Sequence, residues 1–266
     1  MANRSARPRK GTEASSAPAP LSVFAIPGLP EIRRNDDLAK LIALVAGRAK
    51  IRFEENDIVV VAQKIVSKAE GRVVRLSGIK PSGKSRILAK KLGHDPRLIE
   101  TILRESRRIV RDDRVLIVET KHGFVCANAG VDHSNVPGSG RVTLLPKNPD
   151  QSARRIAKAL RKETGKRMGV IVSDTFGRPW RIGLTNVAIG ASGVPSVVDL
   201  RGTRDRNKKL LRATILAVAD ELAAAAGLLM EKSSGTPVVV IRGYGYQHIE
   251  APAAEIIRPA KDDLFR

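Results

Sequence analysis

What this chain lacks narrows its identity first. Among its 266 residues Cys126 is the one cysteine, so an internal disulfide framework is excluded and the chain suits a reducing compartment. No apolar run reaches the roughly 18 to 20 residues that a membrane span needs. A soluble, cytoplasmic protein without a membrane partner is expected. Aromatic residues make up 3% of the chain, too few for a base-stacking platform that would hold single-stranded nucleic acid. Internal repeats, a zinc-spaced Cys/His set, a G-x-S-x-G elbow and a Ser-His-Asp order are also absent from the sequence.

What it has in excess is positive charge: 48 Lys and Arg against 27 Asp and Glu, a formal +21. Such a charge invites a nucleic-acid reading. The basic residues are dispersed among acids through helices and turns, however, and a basic surface equally draws in anionic small molecules. No specific nucleic-acid partner is expected, and a sequence-blind nucleic-acid-binding protein is the weakest reading. The length allows one large domain or two small lobes. Residues 1–20, MANRSARPRKGTEASSAPAP, offer no periodic apolar face and read as a disordered basic tail, leaving 21–266 as the body.

The body is organised around Met168 to Arg181, MGVIVSDTFGRPWR. Gly169 to Val172 is short, apolar and unalternated, as in a strand buried on both faces, and Ser173-Asp174-Thr175 should emerge at its C-terminal edge. Ligands collect at such edges in layered α/β proteins. Asp174 and Thr175 are hard oxygen donors, Gly177 allows close backbone approach, and Arg178 and Arg181 are anion partners. A metal and a phosphate would suit this set, although an Asx turn with two solvated arginines reads equally well from these residues alone.

Elsewhere the pattern is mixed α/β. Leu21 to Ile26, Asp57 to Ala62, Arg114 to Thr120, Phe124 to Asn128 and Pro237 to Ile241 read as strands, and Arg72 to Leu76 as an exposed edge strand. Helices are expected from an Asn35 cap with Asp36 and Asp37 in the first turn, over Pro96 to Ile109, over Ser152 to Thr164, and over a long stretch from Asp205 to Met230. Gln63 to Gly71 reads as a loop beyond a strand end, and Leu184 to Val194 as a glycine-rich strand or turn pressed against other backbone. Asn128 to Asn135, NAGVDHSN, is a small-residue loop where His133 could be a general base or a surface residue. Asp132 and Asp174 could share a divalent ion if their strands are neighbours.

Gly78 to Ser85, GIKPSGKS, matches the phosphate-cradling G-x-x-x-x-G-K-[ST] pattern letter for letter, so a P-loop NTPase is the alternative function. Its context argues otherwise, because Arg72 to Leu76 alternates charge with apolar residues and Pro81-Ser82 reads as an ordinary helix start.

Five stretches then fall together in order: Gly28-Leu29-Pro30, Val66 to Gly71, Asn128 to Asn135, Val172 to Arg178 and Ala188 to Gly193. In them the chain resembles the coenzyme F420:L-glutamate ligase family, from about residue 21 to about residue 245. The resemblance implies a γ-glutamyl ligase domain of mixed sheets, two-lobed, in an intertwined homodimer. It implies GTP as co-substrate, magnesium or manganese, a monovalent cation such as potassium, and an acyl-phosphate formed on a deazaflavin precursor and attacked by L-glutamate. By position it makes Asp132, Asp174 and Thr175 the metal residues and Leu29, Pro30, Glu31, Ile32, Gln63, Lys64, Lys68 and Asn135 the nucleotide contacts. Arg178 joins Asp132 and Asp174 in the catalytic set. Gln63-Lys64 stands where some relatives have a Ser-Thr pair. Met230 to Gly235 replaces a glycine-rich loop bearing a second-metal glutamate, with Glu231 displaced or Lys232 replacing that charge.

Overall fold

The structure, a computed structural model, describes residues 20–132, 138–230 and 235–263. Residues 1–19 of the expected tail, His133, Asn135, Glu231 and Lys232 lie outside them. In chain order the first half carries β1 (Ser22–Ala25), α1 (Leu38–Arg48), β2 (Ile58–Ala62), α2 (Gln63–Ala69), β3 (Val73–Arg75), α3 (Gly83–Leu92), α4 (Pro96–Arg104), β4 (Ser106–Asp112), β5 (Leu116–Thr120) and β6 (Val125–Ala127). The second half carries β7 (Arg141–Thr143), α5 (Pro149–Thr164), β8 (Gly169–Arg178), β9 (Arg181–Ser192), β10 (Val198–Asp199), β11 (Ile215–Leu216), α6 (Val218–Gly227) and β12 (Val238–Arg242).

The main sheet runs β1-β12-β2-β8-β9, and β2 with β8 is its one parallel pair, aligned from Ile58 opposite Gly169 to Ala62 opposite Ser173. The central strands are apolar without alternation because both faces are covered. Val59, Val61, Val170 and Val172 meet α1 and α5 in one core, whereas Ile58, Val60 and Ile171 meet α6 in the other. Edge strand β9 hides its backbone donors: Ala188 N–H donates to Asp220 at 2.9 Å and Ala191 N–H to Asp150 at 2.8 Å. Gly190 has no room for a side chain, since a Cβ there would lie 2.3 Å from the Pro149 backbone. The expected tight backbone approach over Leu184 to Val194 is thus real. A second lobe gathers α3, α4, the β4-β5-β6 meander and the β3-β7 pair around its own core, which includes Ile99, Ile102, Leu116 and Val142.

Several expected boundaries move. Asp37, not Asn35, caps α1, by accepting from Lys40 N–H, while Asn35 takes a left-handed φ of 69° in the preceding turn. The helix from Pro96 stops at Arg104, because Ser106 to Asp112 pairs with β5 and satisfies its backbone there. The long helix from Asp205 is replaced by a β10-β11 hairpin followed by α6. The Asp205 carboxylate accepts from Asn207 and Lys209 N–H and folds the chain back, with Lys208 at φ 64°. Ala223 and Ala226 of α6 pack on the sheet of their own chain. The Gln63 loop is helix α2. Asp174 does not end its strand either, since β8 continues to Arg178 in a long hairpin with β9.

Candidate active site

Gln63, Lys64 and Asp174 sit where the parallel pair stops, and Lys64 reaches Asp132 there. β2 ends at Ala62, opposite Ser173, and α2 begins at the next residue; Asp174 is the first β8 residue beyond the pairing. Helix α2 packs against both β8 and β7, so its first turn lies between Asp174 and the Asp132 bridge to Thr143. Lys64 reaches across to Asp132, with Nζ 2.7 Å from Oδ2. Four residues on, Lys68 is buried and its ammonium lies 2.6 Å from Glu31, which the Gly28 turn carries in at φ 81°. Leu29 and Ile32 pack into the core beside them, and Pro30 is exposed.

Gln63 is 2% exposed. Its Oε1 accepts from Ser67 at 2.8 Å, and its Nε2 has no partner among the described residues. A buried donor left unsatisfied costs about 1–3 kcal/mol, so an amide kept this way at a strand end is suited to an incoming oxygen. Asn128 Oδ1 is likewise buried without a partner, in the turn that leads to Asp132. That turn is strained: Asn128 and Ala129 both hold φ of 54°, and Gly130 follows at 66°, where a Cβ would meet Leu145 at 2.7 Å.

Strand alternation divides the expected metal residues. Asp174 shares the face of Val172 and Phe176, toward α2 and β6. There its charge, after burial, helps push the Cys126 thiol up to about 12. Thr175 shares the opposite face with Ser173, where its hydroxyl donates to Asn186 at 3.1 Å and Ser173 leans on Met230 at 3.8 Å. Their side chains cannot converge on one ion from one side of the sheet. Arg178 lies exposed near the hairpin tip, four residues beyond Asp174. Among the described residues no cluster of three His, Cys, Asp or Glu could hold a metal alone.

The P-loop alternative fails on its surroundings. Leu76–Gly78 is a single 3-10 turn, and no buried strand runs into the loop. Ser82 caps α3 by accepting from Ser85 N–H, and its own N–H donates to Glu100 at 3.0 Å. A backbone donor that a phosphate would need is held by a carboxylate.

Sequence reasoning missed three features: the Glu31 partner of Lys68, the proximity of Cys126 to Asp174, and the unpartnered Gln63 amide. The signal for the last was available in Gln63 itself, a polar side chain directly after a buried apolar strand.

A mixed sheet whose one parallel pair ends beside carboxylates, ammonium groups and a buried amide presents the candidate enzyme site of an α/β protein. The chain belongs to the F420-0:Gamma-glutamyl ligase family, whose model matches residues 28–243. It is 44% identical over 250 residues to the coenzyme F420:L-glutamate ligase of Methanothermobacter thermautotrophicus, covering 92% of this chain and 99% of the relative. The enzyme of the same name from Methanopyrus kandleri is 46% identical over 252 residues, covering 92% and 98%. That from Archaeoglobus fulgidus is 41% identical over 247 residues, covering 92% and 96%.

Proposed function

We propose that the chain joins the amino group of L-glutamate to the terminal carboxylate of the deazaflavin precursor F420-0 in an amide bond, at the expense of GTP, and can extend that tail through γ-glutamyl bonds. The observation that supports it best is the convergence of Gln63, Lys64, Asp132 and Asp174 at the end of the β2-β8 pair, in a chain of this family. A carboxylate is a poor electrophile, so its oxygen first attacks the γ-phosphorus and GDP leaves. The glutamate nitrogen then attacks the acyl carbon, its proton passes to a base, and phosphate departs with one of the original carboxylate oxygens.

The chain's own groups divide this work. Lys68 and the Gln63 amide hold phosphate oxygens, Leu29 to Ile32 and Asn135 flank the nucleotide, and Lys64 orients Asp132 through their ion pair. Arg178 serves as a cation that the hairpin carries to the transferring phosphoryl group. A divalent magnesium or manganese ion fits in donor chemistry, with Asp132 and Asp174 as its carboxylates, and when bound it neutralises charge on the phosphates. Two carboxylates suffice for magnesium, which completes its shell with water and substrate phosphates. Thr175, on the other face, belongs to a separate ion or contributes none.

A homodimer completes the proposal. Trp180, Ile182 and Leu184 on the β8-β9 hairpin are 81%, 102% and 60% exposed, an apolar arm that a lone protomer leaves in water.

The test follows one heavy oxygen. Purified protein receives glutamate, GTP, magnesium and a precursor labelled with heavy oxygen in its carboxylate, with and without potassium. Transfer of one label to inorganic phosphate for each amide formed is expected, and amide formation without transfer would rule out the acyl-phosphate.

A further inference from the structure

We propose that a cavity beside Phe124 and Phe176 receives the flat tricyclic ring of the deazaflavin acceptor; the assignment rests on the ligase reading above. The cavity has a volume of about 340 Å³ and runs along the outer edge of β9. Its walls come from separate elements: Val110 of β4, Phe124 of the β5-β6 turn, Phe176 of β8, Val187 of β9, Ile257 near the C-terminal end and Asp220 of α6.

Position ties it to the chemistry. Phe176 lies two residues beyond Asp174 on the same face of β8, and Val187 is the cross-strand partner of Asp174. The cavity is therefore lined by the cross-strand neighbour of Asp174 and by the next residue on its face of β8. A ring seated there would leave its side chain to run the short way back to the reacting end.

Size and lining select the ring over the other substrates. Small-molecule pockets range over about 300–1,000 Å³, so this one takes a single ring system and not a nucleotide with its phosphates. Phe124 and Phe176 meet edge to face, 6.4 Å apart at 71°, and both are only half-buried. The chain has five phenylalanines, so two of them facing a void is a large share of its aromatic surface. Aromatic walls offer a flat ring offset or edge-on contacts that glutamate cannot use. Asp220, Arg258 and Asp263 supply the charged groups of the lining, and Asp220 is the one that α6 presents. Its carboxyl, raised above the usual range by burial although Ala188 N–H donates to it, is a hydrogen-bonding group for the heteroatom edge of the ring.

The test reads binding apart from catalysis. Fluorescence anisotropy of the tricyclic ring, stripped of its side chain, is titrated with the full chain in the absence of nucleotide. Val187→Phe and Val110→Trp, fillers on different strands, should each weaken binding roughly tenfold or more, and both are checked by thermal melting. Phe176→Ala should weaken it about 2- to 12-fold, and Phe176→Tyr should restore most of the loss. In ligation the fillers should raise the KM for the precursor and leave that for glutamate alone. If the wild type binds the ring and ligates while folded fillers bind it unchanged, or if guanosine displaces the ring, the cavity assignment is wrong and the ligase reading stands. If the wild type neither binds the ring nor ligates the precursor, the acceptor is a different acid and both fall.

Discussion

Replacing Lys68 by methionine keeps the stem of the side chain and removes only its charge, which separates two roles that a lysine can have. The side chain is 9% exposed, whereas its partner Glu31 is 56% exposed, with the two charges 2.6 Å apart. Removing the ammonium thus leaves a carboxylate that water can solvate, not a stranded buried charge. The stability loss should resemble that of an exposed pair, about 0–1 kcal/mol. If Lys68 also holds a nucleotide phosphate, the variant loses a charge-assisted hydrogen bond of about 1.5–3 kcal/mol, or roughly 10- to 150-fold in the nucleotide constant. Lys68→Arg keeps the charge on a wider planar head and should recover part of that loss. The assay is the GTP dependence of ligation in each variant, with chemical denaturation as the stability readout. An unchanged GTP response in a well-folded Lys68→Met protein would refute the phosphate role and leave Lys68 as the structural anchor of the Glu31 turn.

Three further outcomes follow from the packing. Gly190→Ala should destabilise by about 3 kcal/mol or more, because the intruding methyl meets Pro149 backbone that cannot rotate away, whereas Gly47→Ala in α1, with nothing within 4 Å, should stabilise by about 0.5–1 kcal/mol; equal melting temperatures for the pair would contradict this. Glu100, held down from 4.5 to about 2 by Ser82 donors and Arg104, should contribute stability that is fully present above pH 4.5 and lost as pH falls toward 2. Glu100→Gln should flatten that limb of the urea-midpoint curve, and an identical acid limb in the variant would show that Glu100 does not set it. Ile182→Asp should halve the mass seen by sedimentation while the protomer stays folded, and a wild-type chain that sediments as a monomer would remove the dimer.

The buried strands were legible because their cause is local. Gly169 to Val172, Ile58 to Ala62 and Val238 to Ile241 are β-branched runs too short for helices, and all three lie at the centre of the main sheet. Helix α2 was not legible for a physical reason: its N-cap is Ala62 and no side chain caps it, so the start signal that marks most helices is missing. Helix α6, capped by Ala217 without a side-chain bond, begins just as silently, which let the stretch from Asp205 to Met230 read as one false helix. In the site, Asp132 and Asp174 could be named from their position after apolar runs. Their grouping around α2 could not, because it depends on β2 and β8 pairing in parallel across more than a hundred residues of chain. The division of Asp174 from Thr175 was open to reading in principle, since adjacent residues in a strand face opposite ways, but only once the strand was known to continue past Ser173.

The central claim is tested most directly by mass spectrometry of the purified protein incubated with F420-0, L-glutamate, GTP and magnesium or manganese. The account predicts a product heavier by one glutamyl residue, linked through its amino nitrogen to the terminal carboxylate of the precursor, formed by the wild type and within a few-fold by Lys84→Ala, but abolished in folded Asp174→Asn. No glutamylated product from the wild type, or a product lost in Lys84→Ala and retained in Asp174→Asn, would contradict it.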